Sequence, residues 1–228
     1  MGLYKAVKKA VPDVPIMVMI RPRVGDFLYS KRELEVMLED IATFKALKAD
    51  GVVFGALTRD ATVNVLATTQ LAQAAHPMEV CFHRAVDMAL NLTEAFHEIK
   101  TIPGITRVLT SGQGKTAPSD ESLANLKELF RMNSVNEHKS SVLSILPGSG
   151  INPQTIGVVL DTLLPLGLRE VHLSAGGWLP SDMVHRPEGM GMGVGGEGEW
   201  GIWRTNAETV REVRHAMDEA WKQYSVSK

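Results

Sequence analysis

The amino-acid sequence predicts an α/β fold of the (β/α)8 barrel type, and three observations support that prediction. Short apolar runs rich in β-branched residues recur at intervals of roughly 25 to 35 residues, the length of a strand plus a crossover helix. Amphipathic helical patterns fill the intervals between these runs. Polar side chains collect near the carboxyl ends of the runs, where barrels of this type place their ligand sites.

The patterns give six parallel strands with helices between them, two strands fewer than a complete barrel. The predicted strands span residues 16–20, 51–57, 79–85, 107–111, 142–148 and 170–175. The predicted helices span residues 31–48, 61–75, 92–100, 119–132, 153–164 and 206–224. Ser30 and Glu33 form a capping box before the first helix, and Asn152 with Pro153 suits the start of the fifth.

Alternation along the strands favours a barrel over an open doubly wound sheet. In the last predicted strand, Val171 and Leu173 face the helices, which leaves His172 and Ser174 on the opposite side. The same alternation places further side chains on the inner side of the other strands: Met19, Arg21, Arg23, Cys81 and His83. This polar inner side near the strand ends predicts a ligand site at a barrel mouth.

Composition indicates a single-domain protein. With 228 residues, 44% hydrophobic and 22% charged, we expect one domain over residues 1–228. It would include a glycine-rich loop at about 176–204 and a C-terminal helix at about 206–224. The net charge of −2 gives no electrostatic case for nucleic acid or an anionic membrane surface as partner.

Cysteine usage and the absence of long apolar runs bear on location. The one cysteine, Cys81, excludes an internal disulfide and is typical of a reducing compartment. The N-terminus has no apolar stretch of signal-peptide length, and no run approaches the roughly 18 apolar residues of a membrane span. We therefore expect a soluble, cytoplasmic protein.

Titratable side chains follow several predicted strands. The candidate catalytic residues are His83, His172, Asp26 and Asp87, because an inward histidine or carboxylate at a strand end can move protons. His83 is also a candidate metal ligand. The alternatives are a histidine hydrogen-bonded inside the barrel, and Arg–Asp pairs that only pin the loops.

Cationic side chains and glycine-rich turns at the same strand ends predict an anion site. Arginine forks suit carboxylate or phosphate, and glycine-rich turns before helices present backbone N–H groups. The candidate anion-binding residues are Arg21, Arg23, Arg84, Thr110, Ser111, Gly112, Gly148, Ser149, Gly150 and Ser174. The alternative for the glycines is that the tight turns need them in any case.

Six segments in this order resemble one known family, the CutC copper homeostasis proteins. They are "VMIRPRVGDFLYS", "ADGVVFGAL", "FHRAVD", "RVLTSG", "PGSGI" and "EVHLSA", within residues 4–175. The resemblance implies a (β/α)8 barrel and a role in copper homeostasis with copper binding. Cys81 stands where the family more usually has Thr or Val, and Val24 stands where Gly is common.

The resemblance also implies that two strands and a helix of the family, including a Glu-Leu-Cys motif, precede residue 1. Their absence would leave the edge of the first predicted strand unpaired. We therefore expect either a truncated gene product or a homo-oligomer that covers the gap.

Copper, as the implied cofactor, favours soft ligands in its cuprous form. Cys81 with His83 is the first candidate pair, and a loop with Met183, His185, Met190 and Met192 is a weaker second. Buried Cys and Met usually pack as small hydrophobic side chains instead.

Three functions remain open from the sequence. The first is a copper homeostasis protein whose ligand is a copper ion or a small anion. The second is a barrel enzyme of the lyase, isomerase or hydrolase kind acting on a small phosphorylated or carboxylated substrate. The third is a non-catalytic, degenerate barrel that makes protein contacts.

Overall fold

The computed structural model describes residues 1–134 and 143–226. Its strands are β1 (Met17–Met19), β2 (Gly51–Phe54), β3 (Glu79–Phe82), β4 (Ile105–Thr110), β5 (Ser144–Pro147), β6 (Gly176–Leu179) and β7 (Ile202–Thr205). Its helices are α1 (Gly2–Ala10), α2 (Lys31–Ala46), α3 (Val65–Ala75), α4 (Leu92–Thr101), α5 (Asp120–Ser134), α6 (Ile156–Leu163) and α7 (Ala207–Val226). Short 3₁₀ helices span Arg84–Met88, Leu164–Leu166 and Gly196–Gly198.

Strands β1 to β5 form one parallel sheet in which neighbours follow the order of the chain. The register aligns Met19 with Val53 and Val53 with Cys81. A doubly wound sheet changes direction in its strand order, whereas a barrel adds each strand beside the previous one. Five parallel strands surrounded by helices therefore confirm the predicted α/β fold as a partial barrel.

The predicted sixth parallel strand, residues 170–175, is wrong as a strand. Only one parallel bridge forms there, between His172 and Gly148, with the His172 N–H donating to the Pro147 carbonyl at 2.8 Å. The chain then turns at Ala175, whose φ of +46° lies in the left-handed region, and enters β6. That turn ends the parallel pairing after a single residue pair.

The glycine-rich segment after this turn contains regular structure that the sequence pattern did not predict. Strands β6 and β7 pair antiparallel, with Trp178 opposite Trp203. The two indole rings meet edge to face with centroids 5.1 Å apart, a favoured aromatic arrangement. Helix α1, near the N-terminus, was likewise not predicted.

The two faces of the parallel sheet differ in exposure. Phe54, Phe82 and Val108 lie on the face that packs against helices, and all three are fully buried. Each buried phenylalanine contributes about 2–3 kcal/mol through removal of its side chain from water. On the other face Met19 is 52% exposed, while Cys81 is buried outside the main hydrophobic cluster. The inner face is therefore the face of the sheet on which the candidate site residues are expected.

Local signals position the helices that surround the sheet. The predicted capping box of α2 is present, because Ser30 Oγ accepts the Glu33 N–H at 3.3 Å and Glu33 Oε2 accepts the Ser30 N–H at 2.7 Å. Helix α3 begins at Val65, four residues later than expected. Ala61 has φ of +56°, which a helix does not allow, and Asn64 caps α3 instead.

Helix α7 confirms a C-terminal helix close to the predicted bounds. It packs on α6, and its Val213 is buried in the main hydrophobic cluster. None of the helices in residues 1–134 and 143–226 has the length and apolar character needed to cross a membrane.

Candidate functional site

The candidate residues lie at or near the carboxyl ends of the parallel strands, where barrels of this type bind ligands. They fall into two groups. One group follows β1 and includes Arg21, Arg23 and Asp26. The other group occupies the 3₁₀ helix Arg84–Met88 and the turns that follow β4 and β5. We call this region the mouth.

In the loop after β1, Arg23 directs all five of its N–H groups to protein acceptors. Nε donates to Glu33 Oε1 at 2.5 Å, and the Nη atoms donate to Asp26 Oδ1 and to the carbonyls of Val24, Asp26 and Leu28 at 2.8–3.3 Å. No N–H of Arg23 remains for a ligand. These contacts support the structural alternative, in which Arg23 and Asp26 pin the loop.

The ion pairs of this loop hold its carboxylates in the charged form. The hydrogen bond from Arg23 is the main cause of a lowered pKa at Asp26. Hydrogen bonds from Ser30, followed by that from Arg23, lower the pKa of Glu33 to about 2. Asp26 is therefore an ionised carboxylate paired with Arg23 at neutral pH, and this pairing favours the structural alternative over the predicted catalytic role.

Arg21 differs from Arg23 in its contacts. One Nη2 N–H donates to the Gly25 carbonyl at 2.8 Å, and the guanidinium stacks over the Phe27 ring at 4.7 Å. Arg21 is exposed, and no carboxylate within the described residues pairs with it. It therefore retains donors for a ligand.

His83, at the end of β3, is a buried and neutral imidazole. Its Nδ1 accepts the Ala85 N–H at 3.2 Å, which assigns the ring proton to Nε2. Burial, and secondly Arg21, lowers the pKa of His83 to about 4. Within the described residues Nε2 has no hydrogen-bond partner, and the Phe27 ring lies edge to face at 4.8 Å. At neutral pH His83 is thus a hydrogen-bond donor and lacks a free lone pair.

Gly55 makes this histidine position sterically tight. A Cβ at Gly55 would lie 2.7 Å from His83 Nδ1 and 2.9 Å from Cε1. Real Cβ contacts essentially never approach so closely, so only glycine fits beside the ring in this position.

The candidate copper ligands Cys81 and His83 do not fit a copper site. Burial raises the pKa of the Cys81 thiol to about 12, and Sγ donates to the Phe82 carbonyl at 3.6 Å. Cuprous ion binds thiolate, and burial of Cys81 opposes loss of the thiol proton in the metal-free chain. Met19 lies two strands away, roughly 10 Å at the usual strand spacing. Among the described residues no three His, Cys, Asp or Glu side chains group as metal ligands.

Asp87 organises the other half of the mouth. Its side chain is 4% exposed and accepts hydrogen bonds from Thr110 Oγ1, the N–H and Oγ of Ser111, the Gln113 N–H and Arg84 Nε, at 2.5–3.1 Å. Such a fully engaged carboxylate positions its neighbours. Its contacts favour a positioning role over the predicted catalytic one.

The turn after β4 faces Asp87 and the protein interior. Thr110 and Ser111 are fully buried, and the single proton of the Ser111 hydroxyl has two acceptors within reach, the Gly114 carbonyl at 2.6 Å and Asp87 Oδ2 at 3.1 Å. A Cβ at Gly112 would meet the Ser122 carbonyl oxygen at 2.5 Å, so this glycine permits close packing on α5. These three predicted anion-binding residues build the wall behind the site.

Five predicted residues meet in one cleft of about 360 Å³. These residues are Arg84, Ser149, Gly150, His172 and Ser174. Arg84 keeps its orientation through Asp87 at 2.8 Å and through the Ser111 hydroxyl at 3.0 Å, and neither N–H group of Nη1 has an acceptor in the part of the chain that the structure describes. The backbone of Gly148 packs against His172. A Cβ added at Gly148 would lie only 3.2 Å from the Cβ of His172.

Two helix N-termini also border this cleft. Asn152, before α6, accepts the N–H groups of Gln154 and Thr155, and Asn206 does the same for Glu208 and Thr209 before α7. Asn152 and Thr209 line the cleft. The positive ends of both helix dipoles therefore lie near Arg84, which favours a negative ligand.

Ser149 and Gly150 have φ angles of +82° and +73°. Their backbone N–H groups have no acceptor within the described part of the chain. A serine in the left-handed region is uncommon and marks a strained turn, which occurs often at functional sites.

His172 is the histidine among the residues that line the cleft. The surrounding protein desolvates the ring, and this effect, followed by the nearby Arg84 charge, lowers the pKa of His172. The ring is therefore neutral at pH 7 while part of it stays exposed. Of the four candidate catalytic residues, it alone combines access with an uncommitted imidazole.

Sequence reasoning missed the contribution of α7 to the cleft. Thr209 and the neighbouring cap residue Asn206 follow a long hairpin, so their distance in the chain from Arg84 hid their proximity. The available signal was the Asn206 cap itself, which marks a helix N-terminus.

Comparison with known proteins identifies the family. The CutC family model matches residues 1–177. A family protein CutC of Chromobacterium violaceum is 38% identical over 208 residues, which is 91% of this chain and 79% of that protein. The copper homeostasis protein cutC homolog of Mus musculus is 37% identical over 214 residues, 93% of this chain and 74% of that protein.

A solved structure gives the same result. The putative copper homeostasis protein CutC from Streptococcus agalactiae superposes with a TM-score of 0.65 and 26% identity, covering 75% of this chain and 79% of that one. Sequence and fold agree, and they confirm the resemblance drawn from the motifs. The chain belongs to the CutC family.

Proposed function

We propose that this CutC family protein binds a small anion, of the phosphate class, in the cleft at its mouth. The observation that carries the proposal is the convergence of Arg84 with the N-terminal ends of α6 and α7. Guanidinium N–H groups, free turn amides and two helix dipoles all favour negative charge. Barrels of this type commonly bind phosphate in the loops after their last strands.

The cleft also supports acid–base chemistry on such a ligand. His172 is neutral and accessible, and Arg84 beside it would stabilise a negative charge that develops during the reaction. Asp87 acts through Arg84 by fixing the guanidinium. These roles suit a lyase, isomerase or hydrolase that takes a small phosphorylated or carboxylated substrate.

For copper, we propose a role without direct binding at Cys81 and His83. The mouse relative is named a copper homeostasis protein, and we extend that cellular role to this chain. The burial of Cys81, whose Sγ donates to the Phe82 carbonyl, and the occupied Nδ1 of His83 oppose coordination there. An anionic ligand at the mouth offers an indirect connection to copper handling.

Residues 1–228 are further proposed to be one domain of a cytoplasmic protein that forms a homo-oligomer. The unpaired edge of β1 and the exposed Met19 beside it support a protein contact at that side. Light scattering of the purified chain would test this, and a monomer would contradict the oligomer.

Thermal unfolding in inorganic phosphate tests the anion site. At a phosphate concentration of about ten times the Kd, stabilisation of about 1.4 kcal/mol is expected relative to chloride of equal ionic strength. The stabilisation should disappear in Arg84→Met and weaken in Ser174→Ala. Arg32→Met removes the same charge from the exposed side of α2 and should keep it.

A copper titration of the wild-type protein and the variant Cys81→Ala distinguishes the anion site from direct copper binding. Cuprous ion titrated into wild type and Cys81→Ala should show no stoichiometric binding that depends on Cys81. Binding lost in Cys81→Ala, together with no response to phosphate, would overturn the proposal in favour of a metal site.

A further inference from the structure

Arg21 and Arg84 share a property that separates them from Arg23, because both keep guanidinium donors that no group in residues 1–134 and 143–226 accepts. Arg21 gives one N–H to the Gly25 carbonyl, whereas Arg84 gives Nε to Asp87 and one Nη2 N–H to Ser111. Arg21 also lacks a carboxylate partner within the described residues. The guanidinium of Arg21 is therefore available to a second negative group at the mouth.

The fold places both side chains at the same end of the sheet. Arg21 follows β1 directly after the buried Ile20, so alternation turns it toward the inner face. Arg84 follows β3, and β2 lies between the two strands. The backbones that carry the two guanidiniums are thus on the order of 10 Å apart, two strand spacings. A ligand that contacts both side chains must therefore extend from the Arg84 cleft across the end of β2 to Arg21.

The surroundings of the two arginines suit different anions. Around Arg84 lie a hydroxyl, free turn amides and two helix N-termini, a set of donors that matches the several oxygens of a phosphate. Arg21 donates one N–H to the Gly25 carbonyl, and its stacking on Phe27 at 4.7 Å fixes the plane of the guanidinium. A planar guanidinium edge matches the two oxygens of a carboxylate.

We infer that the ligand of this mouth carries two anionic groups, a phosphate at Arg84 and a carboxylate at Arg21. The ligand class is a short phosphorylated carboxylic acid. This inference rests on the proposed function, because the Arg84 cleft is the same site. It adds a residue, Arg21, that recognises the second group and discriminates among phosphorylated compounds.

Matched pairs of compounds test the inference by calorimetry and thermal unfolding. One pair is 3-phosphoglycerate and glycerol 3-phosphate, and a longer pair is 6-phosphogluconate and glucitol 6-phosphate. Within each pair only the carboxylate differs. In wild type, at least one carboxylate compound should bind about tenfold more tightly than its partner, the effect of one charged bidentate contact.

Arg21→Met should abolish that preference and leave the response to inorganic phosphate unchanged, with Arg32→Met as the charge-matched control. A phosphate response without any carboxylate preference in either pair would overturn the inference while the anion site stands. A preference that persists in Arg21→Met would also overturn it. No response to phosphate in wild type would instead overturn the proposed function itself.

Discussion

Two segments of the mouth contain the same spacing, Arg-x-x-Asp, and use it in opposite ways. In "RVGD" the guanidinium of Arg23 is fully engaged by the loop, and the Asp26 side chain is 70% exposed. In "RAVD" the carboxylate of Asp87 is fully engaged and nearly buried, and Arg84 opens into a cleft. Identical local chemistry therefore gives a structural clamp in one place and a candidate ligand site in the other.

The difference arises from the groups that surround each pair. The loop after β1 supplies carbonyls and Glu33, which accept from Arg23. The turn after β4 supplies N–H and hydroxyl donors, which bind Asp87. An arginine is thus a candidate ligand-binding residue when some of its N–H groups have no acceptor in the protein. The presence of an Arg-x-x-Asp motif alone does not identify one.

Paired substitution of the two aspartates should show the largest effect. Asp87→Asn weakens the acceptor of a buried network, and we expect a loss of about 3 kcal/mol or more in the free energy of unfolding. Asp26→Asn affects an exposed pair and should cause a clearly smaller loss. Urea denaturation of both variants measures the difference. Equal losses would contradict the contrast between the two segments.

Stability at acidic pH should depend on His83, the buried histidine at the end of β3. The pKa of His83 is about 4 in the folded chain against an ordinary value of about 6.5, so the unfolded chain binds more protons between these values. Stability should therefore fall as the pH decreases from about 6.5 to 4, by on the order of 3 kcal/mol from this group.

Urea unfolding at several pH values checks this, with His83→Gln expected to remove that part of the pH dependence. His97→Gln, on the exposed side of α4, serves as control and should leave the wild-type profile unchanged. An identical profile in His83→Gln and wild type would refute the role of His83.

The smallest effect is expected at the cap that follows the first loop. Ser30→Ala removes the acceptor of the Glu33 N–H, and loss of a helix cap typically costs about 1 kcal/mol. Because the loop after β1 is structural around Arg23, stabilisation by inorganic phosphate should persist in this variant. Loss of that stabilisation would show that this loop contributes to the cleft.

Much of the fold was predictable because it depends on local patterns. The period of two along β3 correctly separated Phe82, in the core, from Cys81, and the pair Ser30 and Glu33 correctly gave the start of α2. The shortened strand at 170–175 was not predictable. Its pairing ends through the left-handed turn at Ala175, and alanine gives no sequence signal for that conformation.

The sequence indicated the region of the candidate site and only part of its detail. The strand ends predicted a site at the mouth, where five of the anticipated residues line one cleft. Whether Arg23 or Arg84 retains free donors depends on acceptors distant in the chain, such as Glu33 and Ser111. Likewise, the neutral state of His83 follows from tertiary burial, which residue type alone does not indicate.

The open inner face of the sheet has a chemical consequence. Met19 stands on that face and is 52% exposed, whereas Met37 of α2 is fully buried. Mild peroxide should therefore convert the Met19 thioether to its sulfoxide well before Met37 reacts. The ratio of the two sulfoxides by mass spectrometry would report whether anything covers the inner face in the cell, without any change to the sequence.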